Sequence, residues 1–179
     1  SRPPRLPSDD ILTDIQDAGE ARFHESGLTQ YEVSAWALPQ QMAQHNLNYW
    51  TFGDYIGIGA GAHGKITKEN GSIIRTRRSR SPRDYLTGIA EGVLPHQQQL
   101  PQTELPVEFM LNALRLKRGV PASLFKANTG LELTVIKPKI EKLVARGLLS
   151  ADTDRIGTTD QGYRFLNDVV ASFMDNDVR

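Results

Sequence analysis

Between His45 and Gly64 the sequence reads HNLNYWTFGDYIGIGAGAHG. An imidazole, a tyrosine and a tryptophan come first, and alternating glycines at Gly57, Gly59 and Gly61 follow. A histidine nitrogen can ligate a metal, and Tyr49 and Trp50 offer flat apolar surface with polar tips, suited to a planar ligand or to a core. Gly57, Gly59 and Ala62 satisfy the G-x-G-x-x-A spacing of dinucleotide-binding turns. That motif needs a helix opening at the glycines, and the sequel HGKITKENGS breaks a helix rather than starting one. Two explanations stay open: a bend or bulge in a sheet, or a backbone surface pressed against a ligand or neighbouring element.

Other chemistry is sparse. His24, His63 and His96 show no H-x-x-x-H or H-E-x-x-H spacing, so a zinc site built from this chain alone is not expected. The run RTRRSRSPR carries Arg75, Arg77, Arg78, Arg80 and Arg83. Those groups could grip carboxylates or phosphates bidentately, or form the solvated face of an edge strand. Asp54 and Glu32 have no spacing that marks an acid/base pair. There are no cysteines, which excludes disulfides, thiolate nucleophiles and iron–sulfur ligation by this chain.

The elements that position these residues follow from local signals. Ser8 with Asp9 and Asp10 predicts a helix start, and Gly27 its end. TQYEVSAWAL predicts a strand closed by Pro39, residues 40–48 a loop, and DYIGIGAGA a second strand. Asn70-Gly71 predicts a hairpin between KITKE and SIIRTRR, the latter at a sheet edge. Ser81-Pro82 predicts a short helix.

Residues 95–102 (PHQQQLPQ) read as a domain boundary. Thr103 then caps a helix facing inward through Val107, Met110, Leu111 and Leu114. Short helices follow around SLFKANTG and within TVIKPKIEKLVARG, then a small hairpin from LLSAD and RIGT. A last helix opens at Thr159, with Tyr163, Leu166, Val170, Phe173 and Met174 on one side. That order is the order of a winged-helix domain. Residues 103–179 hold eleven Lys/Arg against ten Asp/Glu, too even a balance for a DNA reader, so a docking or lid role is expected and nucleic acid is not an expected partner.

The whole chain of 179 residues is 39% hydrophobic and 23% charged, with zero formal net charge, and shows no run long enough to span a membrane. No signal peptide is visible at its start, and the composition suits the cytoplasm. Composition and spacing alone give a two-part α/β chain with a candidate site for a flat ligand.

YEVSAWA, HNLNYW and GIGAGAHG together resemble a known family. The chain is similar to the C-terminal part of radical S-adenosylmethionine proteins of the oxygen-independent coproporphyrinogen III oxidase-like group, and within it to the haem chaperone branch. The family pattern is Tyr-Glu-Ile-Ser-Asn-aromatic-Ala, His-Asn-x-x-Tyr-Trp and Gly-Ile-Gly-x-Gly-Ala-His. These fall on Tyr31–Ala37, His45–Trp50 and Gly57–His63, with Ala35 where the family has Asn. True coproporphyrinogen dehydrogenases resemble Arg-Asn-Phe-Gln-Gly-Tyr at the second motif, so the chain sides with the chaperones.

The resemblance implies an α/β fold, α+β as a fragment. Residues 1–64 would be the last helix and strands of a partial TIM-like barrel, 65–102 a β-hairpin and connecting segment, and 103–179 a winged-helix-like domain. It implies haem or porphyrin as ligand, with His45, Asn46, Tyr49 and Trp50 as haem-binding candidates, His45 on the iron, and the Gly57, Gly59 and Gly61 backbone lining the pocket. The family's Cys-x-x-x-Cys-x-x-Cys motif, which holds a [4Fe–4S] cluster that cleaves S-adenosylmethionine, is absent. Cluster and S-adenosylmethionine would then belong to the parent protein only, and this chain alone would be inactive. The implied partners are the missing N-terminal barrel half, haem-accepting respiratory proteins, and further copies joined through exposed strand edges. A fragment of a true coproporphyrinogen III dehydrogenase and a winged-helix DNA-binding protein are the alternatives.

Overall fold

A computed structural model describes residues 6–174. The first five residues of the expected 1–64 segment and the last five of the expected 103–179 segment lie outside the described residues. The chain divides into two compact units, Ser1–Ala43 and Gln44–Arg179, of mixed α/β character.

In the first unit, helix α1 (Asp9–Glu25) starts after Ser8 and carries Asp9 and Asp10 in its first turn and Arg22 and His24 in its last, as the helix dipole favours. Gly27, at φ 76°, turns the chain out of it. The expected single strand over 29–38 is instead a hairpin of β1 (Thr29–Glu32) and β2 (Ala35–Ala37). Its turn is made at Val33-Ser34, where the Ser34 hydroxyl donates to the Glu32 carboxylate at 3.0 Å. Serine and threonine hydroxyls offer such local alternatives to a continuing ladder, which the β-rich composition conceals. Trp36 of β2 packs on Phe23 and on the edge of His24.

The second unit opens with helix α2 (Gln44–Trp50), in the segment expected to be a loop. Strands β3 (His63–Thr67), β4 (Ile73–Arg77) and β5 (His96–Gln99) form one antiparallel sheet in that order, with helix α3 (Pro82–Ala90) between β4 and β5. The Asn70-Gly71 turn is as expected, with Gly71 at φ 79°. So is the Ser81 cap of α3, whose hydroxyl accepts from the Asp84 N–H. β4 is not the edge: the polar HQQQ stretch pairs outside it as β5.

Helices α4 (Leu105–Ala113), α5 (Ser123–Thr129) and α6 (Lys137–Ala145) follow, then α7 (Asp160–Arg164) and α8 (Leu166–Met174). A short ladder pairs β6 (Val120–Pro121) with β7 (Arg155–Ile156), and Leu149 bridges to Thr158. Glu104 rather than Thr103 precedes α4, and its buried centre is Phe109 while Leu111 stays exposed. Thr159 does cap, accepting from the Gly162 N–H, but the last helix breaks at Phe165. Phe109 sits at the middle of the core, edge-on to Phe52 at 5.7 Å and to Phe125 at 5.3 Å. All three rings are fully buried, each contributing about 2–3 kcal/mol by leaving water.

One charged group is built into this core. The Lys65 side chain of β3 is 3% exposed, and its three ammonium protons have three acceptors. These are the Phe52 carbonyl at 2.9 Å, Asp54 Oδ1 at 2.7 Å and Thr67 Oγ1 at 3.3 Å, and Nζ also lies 4.3 Å from the Phe52 ring centroid. Asp54 is held in turn by the Thr67 N–H at 2.7 Å and hydroxyl at 2.8 Å. Burial alone would raise the Asp54 carboxyl; the hydrogen bonds from Lys65 and Thr67 outweigh it and leave the group below its ordinary value.

Lys65→Met strands the Asp54 carboxylate and the Phe52 carbonyl, and should destabilise the fold by about 2 kcal/mol, read by urea unfolding. Because the folded Asp54 is depressed, its stabilisation is present above the unfolded carboxylate value and is lost as pH falls through the lower folded value. Melting temperature followed from neutral pH to about pH 3 should therefore fall less steeply in Asp54→Asn than in the parent.

Candidate functional site

Helix α2 sorts the four haem-binding candidates by its own period. His45 and Tyr49 are one i, i+4 pair, with the imidazole edge-on to the phenol at 6.1 Å, and Asn46 and Trp50 are the next. His45 is exposed, whereas Asn46, Tyr49 and Trp50 are half-buried.

The helix is fixed at its C-terminal end. Asn48 Nδ2 donates to the Asp54 carbonyl at 2.9 Å, the Gly53 N–H donates to the Asn48 carbonyl at 2.7 Å, and the Thr51 hydroxyl donates to the Leu47 carbonyl at 2.8 Å. Phe52 takes a left-handed φ of 65°, rare for a residue with a side chain. The turn needs Gly53, since a Cβ there would stand 2.0 Å from Asn48 Oδ1.

Tyr49 meets Tyr55 edge-on at 4.6 Å. The Tyr55 hydroxyl accepts from Arg75 Nη1 at 3.0 Å, and Arg75 is ion-paired with Glu108 on α4. Beside this column, the Arg115 guanidinium covers the Trp50 ring at 4.3 Å. The Trp50 indole N–H is buried without an acceptor among the described residues. The result is an aromatic face rigid on one side and open at His45, able to offer a metal one imidazole and a ring one flat wall. Tyr55, Glu108 and Arg115 are the members that sequence reasoning missed, whereas Arg75 belongs to the run expected to grip carboxylates and meets Glu108. The signal for Arg75 and Lys65 was their inward register on strands already expected to pair.

The glycine segment is not the expected strand over 54–62. Only Tyr55 bridges to Lys65, and the remainder is irregular. Gly57 lies against β3, where an added Cβ would stand 2.1 Å from the His63 carbonyl oxygen. Gly59 and Gly61 adopt φ of 106° and 72°. Their N–H groups donate to the Tyr85 hydroxyl at 3.3 Å and to the Ser79 carbonyl at 2.6 Å. Close approach to a neighbouring strand is therefore the reason for Gly57, and turning the chain is the reason for the other two.

Among the described residues no helix is long and apolar enough to cross a membrane, and no three His, Asp or Glu side chains converge on a metal position. With no thiolate in the sequence, the residues present do not fit an iron–sulfur cluster.

Residues 100–165 match the HemN C-terminal domain. The chain is 44% identical over 174 residues to the haem chaperone HemW of Escherichia coli, covering 97% of this chain and 45% of that protein. HemW of Haemophilus influenzae is 38% identical over 173 residues, covering 97% and 44%. HemW of Mycobacterium tuberculosis is 33% identical over 166 residues, covering 92% and 39%. The chain thus spans less than half the length of these relatives. Among solved structures, the coproporphyrinogen III oxidase HemN of Escherichia coli, a radical SAM enzyme, has the same fold over 94% of this chain and 42% of its own, at a TM-score of 0.66 and 16% identity.

Gly57→Ala should cost about 3 kcal/mol, because the clash is with backbone that cannot give. Gly59→Ala, with nothing within 4 Å of its Cβ, should cost only the strain of a left-handed residue, about 1–2 kcal/mol. Urea unfolding of the two variants side by side checks the order.

Proposed function

We propose that the chain is the C-terminal part of a haem chaperone of the HemW type, and that α2 presents His45 to haem iron while Tyr49 lies along the ring. The observation that supports this most directly is the arrangement on α2. An exposed imidazole stands beside an aromatic column whose far side is anchored through Tyr55 and Arg75 to α4. An anchored wall with one open ligand suits cargo held for transfer better than a resident group, because release needs no core to open. Haem is the cargo in this reading, and the His-Asn-x-x-Tyr-Trp segment at 45–50 is its receiver.

The rest of the notional parent follows from the same likeness. Residues 1–64 would complete a radical SAM barrel whose other strands, cluster and S-adenosylmethionine site lie in sequence this chain lacks. Residues 103–179 would be a winged-helix-like domain, a reading supported by the order α4, α5, α6 and by the β6–β7 ladder with its Leu149–Thr158 bridge. Its role would be docking. Lys139 on α6 donates inward to the Phe173 carbonyl at 3.0 Å and Lys137 is near Glu141, so the basic side of that helix is partly committed within the fold. Cytoplasmic haem delivery to acceptor proteins completes the proposal.

Haemin titration followed at the Soret band tests it. A saturable, stoichiometric shift that weakens at least tenfold in His45→Ala is the expected result. A shift unchanged by His45→Ala, or no shift with a folded chain, overturns the assignment.

A further inference from the structure

The arginine run does something the aromatic face does not explain. Arg77, Arg78 and Arg80 line a groove of about 620 Å³ between α3 and the open end of the β3–β4–β5 sheet, with Tyr85, Ile89 and Leu94 among its apolar walls. That volume is in the range of small-molecule sites. Arg78 is committed to the fold: its N–H donates to the Ala62 carbonyl at 2.9 Å and its Nη1 to the Val93 carbonyl at 3.3 Å. Arg77 and Arg80 are not. Among the described residues neither has a carboxylate within ion-pair distance, although Asp84 also lines the groove.

Strand register adds to the charge. Arg77 stands opposite His63 on β3 and His96 on β5, and directly paired residues point to the same face, so the three exposed side chains form one row across the sheet end. The Tyr85 hydroxyl accepts from the Gly59 N–H and keeps its own proton to donate. A solvated strand would account for the arginines alone. It does not account for Leu94 at 76% and Ile89 at 47% exposure beside them. Unneutralised guanidinium groups next to uncovered apolar surface call for an occupant with an apolar body and carboxylates on one edge, since a guanidinium takes a carboxylate through two parallel N–H bonds. Arg75, which holds Tyr55 and through it Tyr49, precedes Arg77 by two residues on the same strand face, about 7 Å away.

We propose that this groove is a carboxylate subsite for an apolar, flat dicarboxylic ligand, seated by Arg77 and Arg80. Resting on the haem-chaperone reading, we assign it to the propionate-bearing edge of the tetrapyrrole. Iron-free protoporphyrin and its dimethyl ester test it by fluorescence titration of the folded chain, because without iron the His45 ligand plays no part. The diacid should bind at least tenfold more tightly than the diester. Arg77→Gln with Arg80→Gln should remove that preference, and Arg77→Lys with Arg80→Lys should keep part of it, since charge survives but the bidentate fork does not. Both side chains are exposed, so the melting temperature serves as the folding control for each pair. Equal binding of diacid and diester, a preference that survives in the glutamine pair, or no binding of the diacid overturns the subsite. Haemin titration with His45→Ala reads the α2 assignment separately, so either assignment can fail while the other stands.

Discussion

A lysine ammonium without water is the constraint on which the second unit depends. Lys65 is placed on β3 with its side chain inward, and an unpaired charge there would be prohibitive. The chain answers by delivering three acceptors from three places: the Phe52 carbonyl, the Asp54 carboxylate and the Thr67 hydroxyl. For the Phe52 carbonyl to arrive, its backbone must turn left-handed, and Gly53 must follow because Asn48 occupies the space of a Cβ. The same turn sends the Phe52 ring into the aromatic core beside Phe109. One network therefore ends α2, sets the register of the glycine segment against β3, and ties the sheet to the helical core.

This ordering explains why the candidate site can be open and still well placed. His45 and Tyr49 share one face of α2, with His45 exposed, and the helix is fixed at its C-terminal end. Thr51, in the turn just beyond it, offers its carbonyl to Asn128 on α5 at 2.8 Å, and Trp50 lies beneath Arg115. Tyr55, Arg75 and Glu108 carry the position of the Tyr49 ring across to α4. A candidate site held this way would lose little conformational entropy on binding, since the order has been supplied by folding.

Much of this was legible where a short stretch of sequence decides its own geometry. The Ser8 start, the Gly27 stop, the Ser81 and Thr159 caps and the Asn70-Gly71 turn each depend on a few adjacent residues. What was not legible depends on partners distant in sequence. HQQQ carries no strand signal of its own and becomes β5 because β4 offers it a ladder. DYIGIGAGA has strand composition but cannot stay a strand, since its glycines meet β3 backbone at one position and turn left-handed at two others. TQYEVSAWAL has the right residue types for one strand and is folded back by a serine. The His-Asn-x-x-Tyr-Trp segment was singled out by residue type, and its helix was not foreseen. Its spacing puts His45 and Tyr49 on one face only once the residues between them are helical.

The arginine run shows why type and spacing underdetermine role. Five arginines in RTRRSRSPR looked equivalent, and the structure divides them by register. Arg75 is spent on Tyr55 and Glu108, and Arg78 on the backbone carbonyls of Ala62 and Val93. Arg77 alternates onto the same face as Arg75 but one step nearer the sheet's open end, where it has no ion pair among the described residues. A solvated face would scatter such charges and surround them with polar residues. Here they border leucine and isoleucine on a groove wall. The difference between a structural arginine and a binding one is thus a two-residue displacement along a single strand, set by which end of β4 the helical core covers.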